Sequence, residues 1–121
     1  MVDVTIHDKV LDVEVEGIDK ILSLRSHLEI PLKNVKQIHK DTAATERWWH
    51  NLDAPGLRLP DMVMAGTFYK DGRSIFCDIR NPDRSVIIEL DGEKYNELIV
   101  EVNNPQAVIS RVEAALESLD K

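Results

Sequence analysis

The chain has 121 residues, a net charge of −7, 43% apolar residues and 31% charged residues. A chain of this size and composition is expected to fold as a single domain, residues 1–121, around one core without disulfide staples. Its acidity argues against a nucleic-acid partner, because polyphosphate is repelled, and no apolar run approaches the roughly 20 residues that span a bilayer as a helix.

The N-terminal stretch MVDVTIHDKV carries acids early and has no basic-then-apolar signal pattern. Cys77 is the single cysteine, so no internal disulfide is possible. Together these point to a cytoplasmic protein. The charge is unevenly spread. Residues 1–30 carry three Lys/Arg against seven Asp/Glu, residues 31–84 nine against seven, and residues 85–121 three against eight.

Val2, Val4 and Ile6 alternate with polar residues, the period of a half-buried strand. Leu11, Val13 and Val15 alternate again, now on odd numbers. The change of parity predicts a turn or bulge near residues 7–10. Asp19 to Ser26 suits a short helical turn. Leu28, Ile30 and Leu32 alternate across Pro31, which marks an edge, a strand end or a kink because proline donates no ladder hydrogen bond. Val35 and Ile38 sit in a polar strand. Asp41 or Thr42 can cap a short helix through TERWWHNL, and residues 53–61, DAPGLRLPD, read as an irregular loop.

Strand signals then become clearer. The run from Met62 to Tyr69 meets Lys70-Asp71-Gly72-Arg73, a hairpin signature. Ser74 to Arg80 returns, with Ile75, Cys77 and Ile79 on one face. Asn81-Pro82-Asp83-Arg84 reads as a second turn. Val86, Ile88 and Leu90 alternate, Asp91-Gly92-Glu93 turns again, and Leu98, Val100 and Val102 form the last strand. Asn104 as N-cap and Pro105 at the first helical position open a helix. Its apolar stripe is Val108, Ile109, Val112, Ala115, Leu116 and Leu119. Short hairpin connections favour an antiparallel meander, and a closing helix suits the open end of a rolled sheet.

The segments GIDKILSLRSHLEIPLKNV, RWWHNLDAPGLRLP and MAGTFYKDGRSIFCDIRNPDRSVIIELDGEKYNELIVEVNNP, with the final helix, resemble uncharacterised bacterial proteins with a pleckstrin-homology-like (PH-like) fold. The resemblance covers nearly the whole chain. It implies an α+β, mainly β architecture: a strongly bent antiparallel β-barrel of about seven strands, capped by a C-terminal α-helix. It also implies binding or assembly in place of catalysis, and it supplies no catalytic residues. Pleckstrin-homology domains that bind phosphoinositides place several Lys/Arg in the loop between their first two strands. Here that loop is His7-Asp8-Lys9, too little positive charge for a bis-phosphate head group.

Residue chemistry points the same way. His7, His27, His39 and His50 show no i, i+4 pairing and no CxxC accompanies them, so spacing gives no metal site. Cys77 reads as a buried small hydrophobe. Glu97 and Glu101, four residues apart in a strand, lie about 13 Å apart at ~3.3 Å per residue, too far for a glycosidase pair, and read as an outward row. No phosphate-cradling glycine loop is present. Arg47-Trp48-Trp49-His50 is the most distinctive local group, since aromatics beside Arg anchor interfaces. Arg47, Trp48, Trp49 and Arg58 are therefore the candidate binding residues, set against the simpler reading that both tryptophans pack on the sheet.

The expectation is a non-enzymatic, cytoplasmic interaction module that binds a protein partner or itself as a homo-oligomer, without catalytic residues, metal or cofactor. The alternative is a small-ligand or anionic-lipid head-group binder. It would use the mildly basic 31–84 segment, with Lys36 and Lys40 as anion contacts beside Arg47 and Arg58, although the net charge disfavours a membrane lipid.

Overall fold

The computed structural model describes residues 2–15, 27–40, 64–70 and 72–119. Among them are eight strands in two sheets, and one long helix. The strands are β1 (Val2–His7), β2 (Val10–Val15), β3 (His27–Pro31), β4 (Val35–His39), β5 (Met64–Lys70), β6 (Arg73–Ile79), β7 (Ser85–Leu90) and β8 (Glu97–Glu101). The helix, α1, is Pro105–Leu119. Short 3-10 turns at Leu32–Asn34 and Pro82–Arg84 precede β4 and β7.

The first sheet has the order β1-β2-β3 and is antiparallel throughout. Its first hairpin pairs His7 with Val10, leaving Asp8 and Lys9 as a two-residue loop. Both have positive φ, 49° and 63°, as the turn that matches strand twist requires. That turn is the parity change in the sequence. Leu11, Val13, Val15, Leu28 and Ile30 fill the inner face. Pro31 ends β3 on the outer edge of the sheet, where a missing N–H costs no ladder bond.

The second sheet has the order β4-β7-β8-β6-β5. Here the barrel expectation fails. Neither sheet closes or curls into a barrel: both are open, and they are distinct. The meander expectation fails too, because β8 lies between β6 and β7 and pairs in parallel with β6. Asn81-Pro82-Asp83-Arg84 therefore does not join neighbours. It carries the chain across the place that β8 occupies. Glu101, the last residue of β8, secures this crossing. Its Oε1 accepts from the backbone N–H of Arg80 at 2.7 Å and of Asn81 at 2.8 Å. Val102 N–H donates to Arg84 O at 3.0 Å. Glu101 is only 4% exposed, so the outward row expected of Glu97 and Glu101 is corrected: Glu101 is turned into the crossing.

One face of the second sheet shares a core with the first sheet and α1. Phe76, Val86, Ile88, Leu98, Val100 and Val102 meet Val2, Val4, Val13 and Ile30 there, together with Val108 and Val112. The helix begins as its sequence predicts, with Asn104 Oδ1 accepting from Ala107 N–H at 3.2 Å. It lies against β1, β4, β7 and the Leu32–Asn34 turn, across the sheet face instead of in a barrel mouth. Tyr95 seals the core, its ring 5.6 Å from that of Phe76 and its hydroxyl 3.2 Å from Thr67 Oγ1. The opposite face of the second sheet has its own buried cluster, Phe68, Ile75, Cys77, Ile79, Ile87 and Ile99.

Two outcomes follow for stability. Glu101→Ala strips two part-buried backbone N–H groups of their charged acceptor and should cost about 1–3 kcal/mol in urea unfolding. Lys9→Gly removes a side chain from a left-handed position and should raise stability by about 0.5–1 kcal/mol, the steric relief exceeding the entropy lost by glycine.

A candidate acidic binding face

The pleat of the first sheet sends alternate residues of β1, β2 and β3 outward. Registration then groups them in rows. Asp3 stands opposite Glu14, which stands opposite His27; Thr5 stands opposite Asp12, which stands opposite Glu29. The three strands contain no Lys or Arg. Two directly opposed carboxylate pairs, Asp3/Glu14 and Asp12/Glu29, therefore share one face, an arrangement that is unfavourable by itself. Apolar residues of the same strands lock the arrangement from below, since slipping one residue would expose the inner row.

His27 is the counterweight. Its Nε2 is in hydrogen-bond contact with Asp12 Oδ1 and lies 4.0 Å from Glu29 Oε1. The hydrogen bond to Asp12 raises the His27 pKa above its ordinary 6.5; the negative charges of Asp12, Glu29 and Glu14 add to this, and partial desolvation opposes it.

Elsewhere, Glu89 and Glu97 on the second sheet have conventional partners. Glu89 accepts from Gln37 Nε2 and lies 3.0 Å from His39 Nε2. Glu97, opposite Glu89 in the register, accepts from Arg73 at 2.7 Å. Cys77 is fully buried, and burial, followed by the charge of Asp78, pushes its thiol pKa well above the ordinary value. That suits a packing role and opposes a nucleophilic one.

Arg47, Trp48, Trp49 and Arg58 lie outside the described residues, as do the helical turn of Asp19 to Ser26, the TERWWHNL helix and the 53–61 loop. Lys36 is exposed at a register irregularity between Val35 and Gln37 on the outer strand β4. A lysine at such a bulge discourages edge-to-edge pairing. Lys40 donates to Asp83 O at 2.6 Å, tying β4 to the crossing before β7. The two lysines thus have structural tasks of their own.

Sequence reasoning missed the acidic face. Each of its residues was visible as the polar half of an alternating strand, but which rows face each other depends on the β2–β3 register across residues 16–26. No family model, curated protein or solved structure matches the chain.

A raised histidine pKa stabilises the fold fully below the unfolded value near 6.5, and that contribution fades as pH rises through the folded value. Asp12→Asn should lower the His27 pKa measured by NMR titration. The stability difference between parent and variant should be greatest below pH 6.5 and shrink above it.

Proposed function

We propose that this protein is a non-enzymatic interaction module that docks a basic segment of a protein partner on the outer face of its first sheet. The observation that supports this reading is the pair of directly opposed carboxylate rows, Asp3/Glu14 and Asp12/Glu29, on strands without a single Lys or Arg. Among the described residues, structural need does not account for them: the inner residues of the same strands hold the sheet to the core, and the outer carboxylates repel one another. A cationic ligand relieves that repulsion and is steered toward it from solution. His27 sets the strength of the field, because its protonation cancels part of the negative charge.

The alternative of an anion-binding surface around Lys36 and Lys40 has less support, given the tie between Lys40 and Asp83 O and the acidity of the whole chain.

Fluorescence anisotropy with a labelled lysine-rich peptide tests the docking reading. Saturable binding at low salt should weaken steeply as salt is raised. Asp3→Asn/Glu14→Gln should weaken it several-fold, whereas Glu113→Gln/Glu117→Gln on the exposed face of α1, an equal change in net charge, should leave it nearly unchanged. Equal losses from both pairs would reduce the effect to net charge and contradict a dedicated face.

A further inference from the structure

On the same face, three side chains converge around His27. Asp12, His27 and Glu29 each offer one ligand atom, and these atoms all lie within 4.8 Å of one another. Asp12 and Glu29 are directly opposite on β2 and β3. His27 precedes Glu29 by two residues on β3, so both point outward. We propose that Asp12, His27 and Glu29 form a binding site for a divalent first-row transition metal of the zinc class.

Charge is the first argument. One imidazolium can meet Asp12 at hydrogen-bond distance but leaves Glu29 at 4.0 Å. A dication bound by neutral His27 and both carboxylates brings the set to zero net charge. It also removes the repulsion between two opposed acids that the fold otherwise retains.

Geometry is the second. Zinc–nitrogen and zinc–oxygen bonds of about 2.0–2.2 Å place two donors of a tetrahedral ion about 3.3–3.6 Å apart. The observed spread of up to 4.8 Å closes toward that spacing as Glu29, the most exposed of the three side chains, rotates inward, and the His27–Asp12 contact opens to admit the ion. Leu11, Val13, Leu28 and Ile30, all buried, hold the donor strands in register beneath the site.

Donor chemistry selects the ion. An imidazole with two carboxylates suits zinc and its neighbours in the first row, whereas magnesium and calcium favour all-oxygen shells. Three protein donors leave at least one coordination position for water or an outside ligand. Protons compete for His27, so affinity should fall on acidification. Glu14, across from His27, and Asp3 beyond it set the surrounding negative field; Thr5 stands across from Asp12.

The inference does not depend on a basic partner docking at this face. Calorimetric titration of the full chain with zinc chloride near neutral pH tests it. One saturable equivalent is expected, with magnesium giving none under the same conditions. His27→Gln and Asp12→Asn should each weaken zinc binding about tenfold or more, on the scale of losing a ligand and its support. Both substitutions are on the surface, and an amide NMR spectrum checks that the fold is kept. Paramagnetic cobalt should broaden the amide signals of Val13 and Leu28 first. Absence of saturable zinc binding would overturn the site, as would unchanged affinity in both variants or broadening centred on another histidine. Zinc failing while the lysine-rich peptide still binds would remove the metal site alone; the converse would remove the docking reading alone.

Discussion

The placement of β8 between β6 and β7 is the constraint on which the rest of the structure depends. A parallel pair needs a crossover, and here β7 itself lies within the connection from β6 to β8. The short link between β6 and β7 must therefore span a full strand's width, where its backbone N–H groups have no neighbouring strand to pair with. Glu101 answers that need by accepting from Arg80 and Asn81 at 2.7 and 2.8 Å. With the crossing secured, Leu98 and Val100 take the centre of the main core, and Ile99 takes the centre of the cluster on the opposite face. The strand is thus buried on both faces, as its nearly continuous apolar sequence requires.

This arrangement divides labour between the sheets. The second sheet and α1 supply most of the core, while the first sheet contributes only its inner row. Among the described residues its outer face has no structural task, yet it holds opposed acids that repel one another. Such local conflict within an otherwise consistent fold is what the proposed docking reading rests on. His27 moderates the conflict without cancelling it: one imidazole faces Asp12 and Glu29, with Glu14 adjacent. On the readings proposed above, a proton, a metal ion and a basic side chain would compete for this face.

Much of the fold was legible in the sequence wherever local chemistry decides local structure. The Asn104-Pro105 start and apolar stripe of α1, the parity change at the first hairpin, and the glycine turns at Gly72 and Gly92 stand as read, and of the edge, strand end or kink read at Pro31 the structure has the first two. Gly72 and Gly92 have φ of 79° and 75°, the region that glycine enters without strain. Strand order was not legible. Asn81-Pro82 looks the same whether it joins neighbouring strands or leads over an inserted one, and only the buried carboxylate of Glu101 tells them apart. The closed barrel implied by the family resemblance fails at that point. The acidic face was illegible for a related reason: periodicity shows which residues point outward, while the partner across each strand is set by long-range register.

The claim at the centre of this account is that the outer face of the first sheet is the working surface of the protein. Amide NMR shift mapping of the full chain, titrated with a lysine-rich peptide at low salt, tests it most directly. The account predicts shifts concentrated on β1, β2 and β3, with the largest around Asp12, Glu14 and His27. Shifts spread over α1 and β4 to β8, or none at all, would contradict it.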